Sequence, residues 1–68
     1  MDVESTAIRR IRYDRQRSKL YVRFVDGDEY LYVGVPEEVH RSFVEAPSKG
    51  GFFAHQIRGR YPYNRLPN

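Results

Sequence analysis

The sequence predicts an α+β domain, a three-stranded antiparallel β-meander followed by two short helices packed on one face. Three observations point there. Residues 7–13 (AIRRIRY) and 19–25 (KLYVRFV) mix β-branched and aromatic side chains with arginine in roughly two-residue alternation, the pattern of half-buried strands, and Tyr30-Leu31-Tyr32 sets two tyrosines around a leucine at strand spacing. The stretches between them, D14-R15-Q16-R17-S18 and D26-G27, are polar turn sequences. From Pro36 onward the apolar residues recur every four positions, the spacing of a helix. A chain of 68 residues is one domain, 1–68, with a core expected at about 5–63 and residues 64–68 left as a loose tail.

In the first strand Ile8 and Ile11 have opposite parity, so either one faces outward or a bulge intervenes. The second strand is regular: Leu20, Val22 and Phe24 share one face, Tyr21 and Arg23 the other. The register of the third strand depends on the loop around Gly27. An even loop sets Phe24 opposite Glu29 and puts a carboxylate on the core face, which is costly. A three-residue loop, Val25-Asp26-Gly27, instead pairs Val22 with Tyr30 and Leu20 with Tyr32, and sets Arg23 against Glu29 on the other face. The tyrosines are therefore expected to face inward. The first helix is expected over 36–45, with Pro36 at its first position, Glu37 and Glu38 at the positive end of its dipole, Val39 and Phe43 facing the sheet, and Glu37 paired to Arg41. Ala46-Pro47 ends it. Ser48 is placed to cap a second helix with Phe53 and Ile57 inside, Arg58 in the last turn and Gly59 at a left-handed stop.

Six tyrosines and four phenylalanines, with neither tryptophan nor cysteine, imply a core of rings and branched aliphatics with no disulfide. A cysteine-free chain whose Met1 is followed by D-V-E-S, with no long apolar run, is expected to be soluble and cytoplasmic. The net charge of +3 conceals blocks. Residues 5–25 hold seven basic residues against one acid (+6), residues 26–48 six acids against Arg41 (−5), and residues 49–68 four basic residues and no acid (+4). Such blocks either pair with each other or leave a basic surface that attracts polyanions.

The ordered set Y13-D14, L20-Y21-V22-R23-F24, D26-G27, Y30-L31-Y32, V35-P36, A46-P47-S48-K49-G50, F52-F53 and I57-R58 before Y61 resembles the KTSC domain family over about residues 5–63. That family is named for its place at the C-terminus of some lysyl-tRNA synthetases and also occurs as small stand-alone bacterial proteins. The resemblance implies a compact α+β domain, suggests RNA binding and assigns no catalytic residues. His40 and Glu29 depart from the family pattern, which expects an aromatic and an apolar residue there.

Function is therefore sought on the surface rather than in a reaction. The nucleic-acid-binding candidates are Arg10, Arg12, Arg15, Arg17, Lys19, Tyr21 and Arg23 on the first hairpin, with Arg58 and Arg60 from the C-terminal block and Arg9 and Arg65 in support. Arginine suits bidentate phosphate contacts and stacking, and Tyr21 offers a ring to a base. The alternative is a protein-interaction module using Tyr21, Leu31 and Val33 on the outer sheet face. No enzyme, cofactor or metal site is expected. His40 and His55 are too few and too distant for a metal, Ser48 has no base beside it, and Gly50-Gly51 lacks the context of a phosphate-binding loop. A monomer binding RNA or a protein partner, away from membranes, is the expectation.

Overall fold

The meander is built from its turns. In this computed structural model, which describes residues 8–67, β1 (Ile8–Asp14) reverses into β2 (Lys19–Phe24). The Asp14 carboxylate organises the reversal by accepting from the backbone N–H groups of Gln16 (3.1 Å) and Arg17 (3.3 Å), an Asx turn. Pairing then runs Tyr13 to Leu20, Ile11 to Val22 and Arg10 to Arg23 before slipping to Ile8 with Phe24. The slip is the bulge that the parity of Ile8 and Ile11 demanded, and both isoleucines pack against the core.

The second turn has the odd loop. Phe24 N–H donates to Asp28 O (2.8 Å), Gly27 N–H to Phe24 O (2.9 Å), and Gly27 takes φ +101°, a conformation that suits glycine. β3 (Glu29–Val33) therefore pairs Val22 with Tyr30, Leu20 with Tyr32 and Arg23 with Glu29. Tyr32 is buried and Tyr30 half-buried, both on the inner face.

β3 hands over to α1 (Glu37–Glu45) through Gly34 and Val35, whose N–H groups both donate to the carbonyl of Ser18, at 3.0 and 2.9 Å. Pro36 is the N-cap rather than the first helical residue, because its ψ of 153° is extended. Glu37 pairs across the fold to Arg15, 3.3 Å away, rather than along the helix to Arg41. Ala46 ends α1 in an extended conformation, as the residue before a proline prefers. Ser48 caps α2 (Lys49–Phe52) as expected, its Oγ accepting from Gly51 N–H at 3.1 Å; a methyl on Gly51 would press on that oxygen at 3.0 Å.

Beyond Phe52 the helix widens. Residues Phe53–Ile57 form a π-helical turn closed by Arg58 N–H donating to Phe53 O (2.9 Å). The wider turn brings Phe53 and Ile57 closer to alignment on the sheet side, where both are buried. It also ends earlier than expected: Arg58 is already extended, with ψ 128°, and lies outside the last turn. Gly59 then reverses the chain at φ +80°.

The tail is the main correction. Residues Tyr63–Leu66 form β4, antiparallel to β3, giving a four-stranded sheet in the order β1-β2-β3-β4. The alternation Tyr63, Arg65 against Asn64, Leu66 was too short and too polar to read as a strand. What orders it is the free edge of β3, reinforced by Val33 N–H donating to Pro62 O (2.9 Å).

The core lies between the inner sheet face and the helices: Leu20, Val22, Val35, Phe43 and Ile57 are fully buried, with Tyr32 and Phe53 nearly so. Burying each such side chain contributes about 1.5–3 kcal/mol. No helix among the described residues is long and apolar enough to cross a membrane.

Candidate nucleic-acid interface

Alternation along the strands sends every second side chain to the sheet face away from the helices. On β1 these are Arg10, Arg12 and Asp14, on β2 Lys19, Tyr21 and Arg23, on β3 Glu29, Leu31 and Val33, and on β4 Asn64 and Leu66. The register sets Arg12 opposite Tyr21, Tyr21 opposite Leu31 and Leu31 opposite Asn64 in one row across the sheet. The Arg12 guanidinium carbon stands 4.1 Å from the centre of the Tyr21 ring, a cation–π contact worth about 0.5–1 kcal/mol at an exposed site.

Glu29 organises the next row. One carboxylate oxygen is 3.3 Å from Arg23 Nη2 and the other 3.9 Å from Arg12 Nη2, so a single acid holds two arginines over the middle strands. This relieves the like-charge opposition of Arg10 and Arg23 across β1 and β2. Arg10 and Lys19 form no ion pair among the described residues. Glu29 is thus the hub of the charged face. His40 stacks flat on Tyr13, with ring centroids 4.6 Å apart. Tyr13 in turn donates its hydroxyl to Val35 O at 2.6 Å.

The nine candidates divide. Arg10, Arg12, Lys19, Tyr21 and Arg23 share the outer face, and the register alone brings them together. Arg15 and Arg17 sit at the hairpin tip, tied to Glu37 and to Asp14 (3.2 Å). Arg58 and Arg60 belong to the helical layer on the other side of the sheet; Arg60 Nε donates to His55 O (3.2 Å). Arg65 points inward with Tyr30 and is held at 2.8 Å by Asp28, whose hydrogen bond raises its pKa further. Leu31, Val33 and Tyr21 are half-buried beside one another, and Leu66 from the unforeseen β4 extends that apolar strip.

Two features escaped the sequence reading. One is Leu66, hidden because its strand was. The other is an open cleft of about 380 Å³ at the inner sheet face, walled by Phe24, Tyr30, Tyr32 and Tyr63 on the sheet and Phe53 on the helix, with Arg58 at its rim. Burial pushes the Tyr32 phenol up to about 12, neighbouring Tyr30 and Tyr63 add to the shift, and the Arg58 charge opposes it. The phenol is therefore a neutral donor throughout the physiological range. Among the described residues no group of His, Cys, Asp and Glu side chains could hold a metal ion.

The KTSC domain profile matches residues 4–61. The chain belongs to the KTSC domain family. A crystal structure of a KTSC domain protein from Yersinia pestis is similar at TM-score 0.87 and 37% identity, covering 98% of this chain and 94% of that one. A protein of Tsukamurella paurometabola is 39% identical over 59 residues, 87% of this chain and 88% of its own length. A lysine–tRNA ligase of Trichormus variabilis is 35% identical over 63 residues, 93% of this chain but 11% of the ligase. The KTSC fold thus occurs both as nearly the whole of a small protein and as a short part of a large enzyme.

Proposed function

We propose that this KTSC domain is a non-catalytic, cytoplasmic RNA-binding module that holds single-stranded or looped RNA on the outer face of its sheet. The observation that carries the reading is the gathering of Arg10, Arg12, Lys19, Tyr21 and Arg23 on the sheet face that no helix among the described residues covers. Glu29 gathers the Arg12 and Arg23 guanidinium groups over the middle strands, at 3.9 and 3.3 Å, on this same face. Tyr21 supplies the ring on which a base stacks once Arg12 swings to a phosphate. A domain similar to this one within lysine–tRNA ligases, enzymes whose name gives tRNA as substrate, supports the same reading.

The test is an NMR titration with a short single-stranded RNA and with a tRNA-like stem-loop at two salt concentrations. Shifts confined to the outer-face residues and weakened by salt are expected, with log affinity falling by about 0.7 per phosphate contact for each tenfold rise in salt for single strands. Replacing Arg10, Arg12 and Arg23 together by Gln removes the binding and flattens the salt slope. No perturbation at low salt would sink the proposal.

A second reading is favoured by one observation: the β3–β4 half of the same face carries Leu31 and Val33 next to Tyr21, with Leu66 beyond them, as an apolar strip among Glu29 and Asn64. A protein partner docking there would be lost on Leu31→Lys, a change that leaves RNA binding in place or improves it.

A further inference from the structure

The inner-face cleft lies on the opposite side of the sheet from the surface just described, and its chemistry is different. Its wall is a continuous run of rings. Tyr30, Tyr32 and Tyr63 lie 5.6–6.5 Å apart centre to centre, Phe24 meets Tyr30 edge-on at 5.8 Å, and Phe53 meets both Phe24 (5.4 Å) and Tyr32 (5.6 Å) edge-on. Tyr63 keeps 58% of its surface exposed, so one ring of the wall is open to an incoming planar group. At about 380 Å³ the cleft is within the usual range for a small-ligand site.

Its two ends carry opposite charges. Asp26 and Asp28, in the loop before β3, border the end beside Tyr30, whereas Arg58 borders the end beside Tyr32. Asp28 and Tyr32 are four residues apart on an extended chain, so the β3 backbone spans about 13 Å from one end of the cleft to the other. Asp28 is already matched by Arg65, whose charge also acts on Asp26, and among the described residues Asp26 accepts one hydrogen bond, from the Asp28 N–H at 3.0 Å. Neither Arg58 nor Asp26 forms an ion pair among the described residues, so a carboxylate and a guanidinium without salt-bridge partners both border the aromatic wall. The π-helical turn sets this up, because it ends the helix at Ile57 and turns Arg58 outward at the cleft rim.

That charge layout selects among ligands. A cation seeking an aromatic cage is repelled by Arg58. A free aromatic amino acid carries its ammonium and carboxylate on one carbon and cannot reach both ends. A guanine nucleotide does, because its base offers N–H donors at one edge and its phosphate lies at the far end.

We propose that the cleft is a binding site for a guanine nucleotide, with the base against Tyr63 and Tyr30, its donor edge on Asp26 and its phosphate on Arg58. The same chemistry is supplied by a free nucleotide or by an unpaired guanosine at the end of an RNA. The site is independent of the outer face, and neither requires the other.

The experiment titrates the intact labelled protein with 5′-GMP, 5′-AMP and inorganic phosphate by NMR. GMP is expected to shift the Tyr30 and Tyr63 ring signals and the Asp26 and Arg58 amides at least several-fold more tightly than AMP, with phosphate alone much weaker. Arg58→Gln weakens GMP by about tenfold, the loss of one charge-assisted contact. Asp26→Asn removes the preference over AMP while keeping the affinity for AMP. Both residues are exposed, and retained spectral dispersion confirms that the variants fold. A short RNA ending in an unpaired guanosine then distinguishes the source: tighter binding than GMP that Arg58→Gln still weakens identifies a chain end, and no gain identifies the free nucleotide. Absence of GMP binding, equal binding of AMP, or indifference to Arg58→Gln would overturn the site. Because GMP lacks the chain of phosphates that the outer face requires, failure here leaves the RNA reading standing, and the reverse also holds.

Discussion

The two faces of the sheet share the same four strands and differ in what holds them. The inner face is closed by Leu20, Val22 and Tyr32 against Phe43, Phe53 and Ile57, with no buried side-chain polar atom left unsatisfied among the described residues. The outer face is held by Arg12 on Tyr21 and by Glu29 between two arginines, contacts each worth about 0–1 kcal/mol because they stand in water. One face stabilises the domain, and the other is left free to change partners.

The sharpest way to break that contrast is to open the inner face. Phe43→Ala removes a fully buried ring stacked on Phe52 (5.5 Å), and is expected to cost about 3–5 kcal/mol in urea unfolding. For a domain of this size that is most of its stability. An equal loss on Tyr21→Ala would show that the outer face is structural too; the expected loss there is about 1 kcal/mol.

A subtler probe of the inner face is pH. The Tyr32 phenol is raised from 10.0 to about 12 by burial, so the folded state keeps its proton while the unfolded chain loses it. Its contribution is complete below pH 10 and is lost as pH rises from 10 towards 12. The urea midpoint should fall over that window in the native protein, and less in Tyr32→Phe. The smallest effect belongs to the outer face: Glu29→Gln should leave stability within about 1 kcal/mol while releasing Arg12 and Arg23, which strengthens RNA binding at low salt. Weaker binding would mean that the positioning of those arginines outweighs the acid's repulsion.

Much of this was legible because strand parity is unforgiving. Gly27 forces an odd loop, and that one residue fixes which side Tyr30, Tyr32, Arg23 and Glu29 face. The bulge between Ile8 and Arg10 follows from two isoleucines that must both reach the core. β4 was not legible, since Tyr63–Leu66 holds no apolar pattern of its own and forms only because β3 presents an open edge. The π turn was equally hidden, because Phe53 and Ile57 suit an α-helix and a π-helix alike. For the site, sequence position suggested a single basic surface, whereas chain reversal divides it between two sides of the sheet. The cleft arises from segments as far apart as Phe24 and Tyr63, which no local pattern joins.

The carbonyl of Ser18 accepts two consecutive amides, those of Gly34 and Val35, while Ser18 itself sits at φ 54°, uncommon for a residue with a side chain. One oxygen atom therefore fastens the tip of the first hairpin to the hinge where sheet becomes helix. Fraying of that tip is therefore expected to loosen the start of α1 as well, so that a perturbation at Arg15 or Arg17 reaches the helical layer without crossing the hydrophobic interior.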